Sequence, residues 1–218
     1  MGVIMGMRLL APDRYRRMPW RNGRGMTTEL AREPEDGMGN FLWRISISEV
    51  SRQGPFSLFP GYDRLVAVIE GEGMDLLLDG SLVERLSCKT EPYTFSGDRL
   101  AECRLIGGMI QDFNLIVDRH YGRATLHRIR KGPSLTVGGV GAIVLVYAVS
   151  GEAWIRFREQ DEEQRIRLEE EHTLILEGDQ VEITCPAAEA EALVSEVSIV
   201  ERTNGHICFG AMEDNTLS

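Results

Sequence analysis

The chain repeats one short pattern about 80 residues apart, and this repeat limits the folds open to it more than any other feature. Residues 66–72 (VAVIEGE) align with residues 146–152 (VYAVSGE) at an offset of 80, and residues 95–98 (FSGD) align with residues 176–179 (LEGD) at an offset of 81. In each copy, an apolar run ending in Gly-Glu precedes a Gly-Asp turn by 26 or 27 residues. Two chance matches at nearly one spacing are rare, so the sequence predicts two related β-units joined near residues 128–133.

Most apolar runs in the chain are short and have the features of β-strands. Residues 43–48 alternate apolar and polar side chains, which is the two-residue period of a half-buried strand. Other runs end at glycine, aspartate or proline, and Asp79-Gly80 is typical of a two-residue hairpin turn. Many short strands with turn signals between them predict an all-β sandwich or barrel.

The charge balance of the chain is acidic, with 24 Lys and Arg, 34 Asp and Glu, and a net charge of −10 at pH 7. Nucleic acids and anionic membranes both attract clustered basic side chains, so neither is expected as a partner. No apolar run approaches the roughly 18 residues of a membrane span. The 4 cysteines stand singly without a CxxC pair, which favours reduced thiols in a cytoplasmic protein over a disulfide scaffold.

The repeated pattern resembles the two signature stretches of the cupins, which are small jelly-roll barrels also described as double-stranded β-helices. The resemblance implies an all-β bicupin with two such barrels in one chain. An N-terminal barrel over residues 1–125 would hold the ligand pocket, and a C-terminal barrel would occupy residues 126–218. The second barrel is expected to support the first or to form a homodimer.

The metal ligands that the cupin signature implies are missing from this chain. Counted from the glycines of the two stretches, the positions of the family histidines hold Ser57, Phe59 and Leu100, and that of the glutamate holds Arg64. None of these side chains binds a transition metal as in the family, and a guanidinium repels a cation. We therefore expect no metal and no other cofactor, and metal-dependent dioxygenase or isomerase chemistry is disfavoured.

The arginine at the glutamate position has a consequence for ligand binding. If the cupin register holds, Arg64 projects into the first barrel, where a buried guanidinium needs a counter-ion. Its planar fork matches a carboxylate through two parallel hydrogen bonds. A bound organic anion would meet this need, and an internal carboxylate such as Asp112 or Glu29 is the alternative.

Residues 20–29 (WRNGRGMTTE) form the densest polar and glycine-rich segment. Two glycines let the backbone turn tightly and present N–H groups to an oxyanion, supported by Asn22 and the hydroxyls of Thr27 and Thr28, of which Thr28 is the candidate ligand-binding residue. The alternative use is a turn that joins an N-terminal strand to the barrel. No GxxxxGK[ST] loop for phosphate occurs.

Five motifs in the first half resemble, in order, those of the HutD/Ves family. They are WRNGRGMTTEL at 20–30, FLWRIS at 41–46, GPFSLFPG at 54–61 followed by Arg64, FSGD at 95–98 and DFNL at 112–115. The resemblance implies a bicupin fold. For members encoded with histidine-utilisation genes, it implies a non-enzymatic modulator of that pathway that binds an intermediate such as formylglutamate or urocanate. The Ves branch is linked to stress responses.

Further candidate ligand-binding residues share strand faces. Arg44 and Ser46 lie on one face of their strand, and the sequence leaves open whether that face turns inward. Asp112 and Asn114 share a face of an otherwise apolar strand, where polar groups that point inward need partners. Asn114 would bond the polar end of a ligand, and Asp112 would orient one of the arginines.

The segment 56–60 (FSLFP) would form the rim of the pocket. It contains Ser57 at a former metal-ligand position and Phe59 as a stacking surface for a planar ligand, with a place in the ordinary core as the alternative. No Cys or Ser has a recognisable His partner in the sequence, so no catalytic residue is predicted.

These observations favour a small-molecule binding protein that senses an anionic metabolite. One alternative is a metal-independent hydrolase or isomerase that uses Asp112 on a small carboxylate. The other is a protein-interaction module whose second barrel offers edge strands to a partner.

Overall fold

The computed structural model describes residues 6–20, 25–34, 40–159, 162–178 and 180–200. Within these ranges the chain forms 19 β-strands, a 3-10 turn at Pro12–Arg14 and no α-helix, so the prediction of an all-β fold is confirmed. None of the helical structure in these ranges is long and apolar enough to cross a membrane.

The strands of the N-terminal half are β1 (Gly6–Leu10), β2 (Arg16–Pro19), β3 (Gly25–Glu33), β4 (Trp43–Val50), β5 (Gly54–Pro55), β6 (Tyr62–Glu70), β7 (Met74–Leu78), β8 (Ser81–Leu86), β9 (Tyr93–Ser96), β10 (Ala101–Leu105) and β11 (Ile110–Asp118). Those of the C-terminal half are β12 (Gly122–Arg130), β13 (Leu135–Val137), β14 (Ala142–Ser150), β15 (Ala153–Glu159), β16 (Glu162–Leu168), β17 (Thr173–Gly178), β18 (Val181–Thr184) and β19 (Glu191–Ile199).

The predicted repeat is present in the arrangement of the strands. In space, the order β4-β11-β6-β9 is matched by β12-β19-β14-β17, and β5-β10-β7-β8 is matched by β13-β18-β15-β16. Corresponding strands begin 79 to 81 residues apart along the chain. We call strands β4 to β11 the first unit and strands β12 to β19 the second unit; each consists of a large and a small antiparallel sheet.

Three N-terminal strands extend the large sheets. β2 and β3 continue the large sheet of the first unit beyond β4, whereas β1 lies at the edge of the large sheet of the second unit and pairs with β17. The predicted domain boundary between residues 125 and 126 falls inside β12. All four sheets are open, with an edge strand at each end.

The two large sheets pack face to face, and each small sheet covers the other face of its own large sheet. The central apolar core contains Ile45, Leu65 and Leu115 of the first unit and Leu145 and Ile175 of the second. Two further cores lie inside the units, between the large and small sheet of each. The large sheet of the first unit is therefore apolar on the face that contacts the second unit.

The strand β4 shows how this packing positions polar groups. Ile45 and Ile47 belong to the central core. Because side chains alternate along a strand, Arg44 and Ser46 face the interior of the first unit. The polar face of β4 is thus its inner face. The sequence alone left open which face of this strand turns inward.

Candidate functional site

A cavity of about 640 Å³ opens on the inner face of the large sheet of the first unit. Strands β4, β6 and β11 form its floor, and the segment 55–59 forms part of its rim. It is lined by Met18, Pro19, Trp20, Thr27, Arg44, Ser46, Ser48, Pro55, Phe56, Ser57, Phe59, Arg64, Asn114 and Ile116.

Arg64 is the most deeply buried charged group of the cavity lining, with 4% of its surface exposed. Its Nη2 donates a hydrogen bond to Oδ1 of Asn114 at 2.8 Å, and its Nη1 donates to the backbone oxygen of Ser57 at 3.3 Å. Its Nε is buried without a hydrogen-bond partner among the described residues. Burial lowers the pKa of Arg64 to about 10, partly opposed by Asp112, so the side chain stays charged at neutral pH. Both groups that accept its hydrogen bonds are neutral.

Aromatic rings surround this guanidinium. The central carbon of the Arg64 guanidinium lies 4.9 Å from the ring centre of Phe56, 5.1 Å from that of Phe95 and 5.5 Å from that of Phe59. The corresponding carbon of Arg44 lies 5.3 Å from Phe59, which is therefore shared by two cations. Such contacts stabilise a cation through the negative face of the ring and leave the N–H edges for an anion.

Asp112 lies beneath the cavity floor and is fully buried. Its Oδ1 accepts a hydrogen bond from Nδ2 of Asn114, so the amide of Asn114 links this carboxyl to Arg64. Burial raises the pKa of Asp112 to about 7, against the lowering effects of Arg64, Asn114 and the nearby Ser48 hydroxyl. Its Oδ2 is also buried, and it accepts no hydrogen bond of normal geometry from the described residues. The sequence offers Asp112 as an internal counter-ion for Arg64. In the structure, the amide of Asn114 links the two side chains, and they form no direct ion pair.

Arg44 places a second positive charge at the cavity. Burial lowers its pKa; Glu29 raises it and Arg32 lowers it further. Arg32 and Arg44 are cross-strand neighbours in the β3–β4 register, and each guanidinium carbon lies 5.2 Å from the ring centre of Phe41. The Nε of Arg44 is buried without a hydrogen-bond partner among the described residues. The cavity therefore presents two arginines with unused hydrogen-bonding capacity.

The FSGD motif holds the rim of the cavity against the sheet. The N–H of Gly97 donates to the oxygen of Tyr62 at 2.8 Å, and the N–H of Phe59 donates to the oxygen of Gly97 at 2.9 Å. A Cβ at position 97 would lie 2.4 Å from the Phe59 oxygen, so the close approach requires glycine. Oδ1 of Asp98 also accepts a hydrogen bond from the N–H of Gly61 at 2.9 Å. These contacts place Phe59 beside the two arginines.

Most of the residues that the sequence suggested lie together around this cavity. Six line it directly: Arg44, Ser46, Ser57, Phe59, Arg64 and Asn114. Asp112 lies below them and contacts Asn114. Thr28 lines a separate cavity of about 240 Å³, together with Tyr147 of the second unit, and is not brought to Arg64. Asn22 lies outside the described residues.

Three further polar or amphipathic side chains line the cavity: Trp20 and Thr27, which belong to the glycine-rich segment 20–29, and Ser48, which sequence reasoning missed. Nε1 of Trp20 donates to Oγ1 of Thr27 at 2.7 Å, and the hydroxyl oxygens of Thr27 and Ser48 are 3.5 Å apart. Ser48 continues the alternation of β4, so the strand period carried a signal for it. Neighbouring residues of a strand point to opposite faces, so Thr27 and Thr28 cannot both face the cavity. Which of the two does so depends on the face of β3 that turns inward.

The second unit carries apolar side chains at the positions of the hydrogen-bonded pair Arg64 and Asn114. The strand register places Val144 and Val194 at the positions of Arg64 and Asn114. Both valines are buried in the core of the second unit. The buried arginine–amide pair is therefore a property of the first unit.

The four positions of the cupin metal ligands have different surroundings. Ser57, Phe59 and Arg64 line the cavity, whereas Leu100 is 65% exposed. Within the part of the chain that the structure describes, no three His, Cys, Asp or Glu side chains are grouped so that they could hold a metal ion.

Comparison with sequence families and curated proteins gives a consistent result. The HutD family model matches residues 12–195. An uncharacterised 21.2 kDa protein of the hutC 3′ region from Pseudomonas putida is 42% identical over 120 residues, which are 55% of this chain and 63% of that protein. Protein Ves from Citrobacter koseri is 35% identical over 144 residues, which are 64% of this chain and 72% of that protein. The chain thus spans less than two thirds of the P. putida relative.

Similar structures have also been solved. A conserved protein of unknown function from Pseudomonas aeruginosa PAO1 is 34% identical, with a TM-score of 0.78 over 88% of this chain and 99% of that chain. HutD from Pseudomonas fluorescens SBW25 (formate condition) is 30% identical, with a TM-score of 0.74 over 90% of this chain and 100% of that chain. Bacillus subtilis oxalate decarboxylase shares the fold, with a TM-score of 0.60 at 8% identity over 91% of this chain and 78% of that chain.

Proposed function

The chain belongs to the HutD family, and we propose that its first unit binds a small anionic metabolite of the formylglutamate or urocanate type without transforming it. In this role the protein modulates histidine utilisation in the cytoplasm, through binding rather than catalysis and without a metal or other cofactor. The relative from P. putida, described by its position in the hutC 3′ region, supports the link to that pathway.

The observation that carries the proposal is the state of Arg64. This guanidinium is charged, almost wholly buried and bonded to two neutral oxygens, with no carboxylate of the described residues at ion-pair distance. Burying a charge without a counter-ion is unfavourable, and a carboxylate from solution would supply one. An anionic ligand would therefore supply the direct ion pair that the described side chains do not form with Arg64.

The remainder of the cavity suits a small carboxylate with a polar or planar body. Arg44 offers a second cation for a second carboxylate, while Ser46 and Asn114 offer hydrogen bonds. Phe59 offers a ring face against which a planar ligand such as urocanate would stack. The volume of about 640 Å³ lies within the range of small-molecule sites.

The overall architecture belongs to the same proposal. We infer that each unit is a cupin-type jelly-roll barrel, with the pocket in the N-terminal one (residues 1–125 as the sequence divides the chain). The C-terminal one (residues 126–218) would support it or form a homodimer. The apolar filling of the second unit at Val144 and Val194 supports this division of roles.

Calorimetric titration with urocanate, formylglutamate and glutamate tests the proposal. We expect binding by the intact chain and a loss of about 2–5 kcal/mol of binding free energy in Arg64→Gln, because the charge-assisted pair is removed. Arg64→Lys keeps the charge but not the planar fork, and it should recover only part of the affinity. Arg85→Gln is the matched control, since that arginine pairs with Asp75 on the exposed surface.

Two outcomes would contradict the proposal. One is the absence of binding for all three compounds at millimolar concentration. The other is an unchanged affinity in Arg64→Gln when its thermal unfolding shows a folded protein. Conversion of any of these compounds by the chelator-treated protein would instead favour an enzyme.

A further inference from the structure

The carboxyl of Asp112 is joined to the ligand site by a single side chain. Asp112 and Asn114 alternate along β11 with Ile116, which lines the cavity, so all three point to the inner face of the sheet. The buried amide of Asn114 accepts a hydrogen bond from Nη2 of Arg64 at 2.8 Å and donates one to Oδ1 of Asp112. A change at the guanidinium is therefore felt at this carboxyl.

Arg64 is also the positive charge on which an ionised Asp112 depends. Among the described residues, it is the one cation whose charge lowers the pKa of Asp112. Asp112 is fully buried and Arg64 is 4% exposed, so solvent and salt screen their attraction only weakly. The ionised carboxyl thus acts as an internal counter-ion at one remove.

A carboxylate ligand would compete with this internal charge for the same guanidinium. Once the ligand pairs with Arg64, an ionised Asp112 would be a buried negative charge close to a second one. Both effects favour the neutral carboxyl, which forms by uptake of a proton from solvent. The buried Oδ2 of Asp112 accepts no hydrogen bond from the described residues, and Ser48 lies opposite Asp112 in the β4–β11 register with a hydroxyl oxygen for the added O–H.

The other titratable and charged groups around Asp112 keep their charge state near neutral pH. On β10, burial raises the pKa of the Cys103 thiol to about 12, and the charge of Asp112 adds to this effect. On β6, burial lowers the pKa of Arg64 only to about 10. On β4, Ser48 does not titrate, and Arg44 acts on Arg64, whose pKa it lowers. Asp112, whose pKa burial raises to about 7, is the group of this network that can exchange a proton in that range.

We propose that Asp112 takes up a proton when an anion binds to Arg64, so that the affinity of the cavity for carboxylates falls as the pH rises above neutrality. This inference rests on the proposed function of Arg64 and adds a pH dependence to it. Asp112 is a positioning residue in this scheme, because it acts on the ligand through Asn114 and Arg64. The sign follows from linkage: binding that raises the pKa of Asp112 is favoured by protons, and it weakens once the free protein is ionised.

Calorimetric titration of the full chain with urocanate, formylglutamate and glutamate tests the proposal. It is carried out from about pH 6 to about pH 8 in two buffers of different ionisation enthalpy, which gives the number of protons taken up. If binding raises the pKa of Asp112 by about one unit, wild type should take up about half a proton per ligand between pH 7 and pH 8 and lose about fivefold in affinity from pH 6 to pH 8.

Two variants assign the proton. Asp112→Asn lacks the titrating group, so the extra half proton and the fivefold loss should both be absent; comparison with wild type also cancels any ionisation of the ligand itself. Asp75→Asn is the matched control, since it removes a partly exposed carboxylate that pairs with Arg85, and it should behave as wild type. The measurement on wild type stands without a variant if Asp112→Asn does not fold.

The possible failures separate this inference from the proposed function. Binding by wild type with no proton uptake and a constant affinity would overturn the inference alone. Uptake that persists in Asp112→Asn would also overturn it, because the proton would then belong to another group, such as His120 beside Gly61. Absence of binding for all three compounds across the pH range would overturn both.

Discussion

Replacement of the buried carboxyl beneath the cavity, by Asp112→Asn, should make the protein more stable at neutral and alkaline pH. The amide has nearly the same shape as the protonated carboxyl but cannot ionise. In the folded protein, burial holds the pKa of Asp112 at about 7, compared with 3.8 for an unperturbed aspartate. The folded chain therefore keeps a proton that the unfolded chain releases between these two values.

The sign and size of the effect follow from this difference. Below pH 3.8 the carboxyl is protonated in both states, and it adds no pH dependence. As the pH rises toward 7, only the unfolded state ionises, and the wild-type free energy of unfolding falls. A difference of about three pKa units, at about 1.4 kcal/mol each, amounts to about 4 kcal/mol. Above pH 7 both states are ionised and this contribution stays constant.

Urea unfolding of wild type and Asp112→Asn, measured in steps from about pH 4 to about pH 8 at fixed ionic strength, gives the test. The stability of the variant relative to wild type should rise by about 4 kcal/mol across that range. Asp75→Asn is the control: this partly exposed carboxylate has a pKa lowered chiefly by its hydrogen bond from Arg85, so the effect of the substitution should be confined to acid pH. A stability difference that does not change with pH would refute the reasoning, because it would mean that Asp112 ionises like a solvated carboxyl.

Three further results are expected. Hydrogen bonds from Ser96 and Gly61, together with the Arg119 guanidinium, hold the pKa of Asp98 at about 2. In acid unfolding, wild type should therefore lose stability relative to Asp98→Asn as the pH falls below 3.8. Gly97→Ala would place a Cβ 2.4 Å from the Phe59 oxygen, and it should weaken carboxylate binding by displacing the rim; unchanged affinity in calorimetry would contradict this role. Ile45→Ala should cost about 2–5 kcal/mol in urea unfolding, because it leaves a cavity in the core between the large sheets.

Much of the fold could be predicted from the sequence, because short patterns of neighbouring residues specify the strands and turns. The repeat of a β-run and a Gly-Asp turn predicted two related units, since each pattern marks the same strand end in both copies. This inference needed only short-range periodicity and turn chemistry. The choice of Arg64 as an inward-facing cation needed more, because it rested on the resemblance to the cupin signature, counted from Gly71.

Other features depend on contacts that no local pattern reports. The pairing of β1 with β17 joins residues far apart in the chain, and no local pattern indicates that partner. The inward face of β4 was decided by the packing of Ile45 and Ile47 against the second unit. The sequence predicts Thr28 at the ligand site, whereas the cavity is lined by Thr27, because a shift of one residue reverses the face of a strand.

The strands of the large sheet in the first unit carry two independent tasks on alternate residues. In β4, Trp43, Ile45 and Ile47 pack between the two units, and Arg44, Ser46 and Ser48 border the cavity. Redesign of ligand preference can accordingly proceed at Arg44, Ser46 and Ser48 while this packing is left intact. For the same reason, a one-residue insertion in such a strand would disrupt both the lining of the cavity and the packing between the two units.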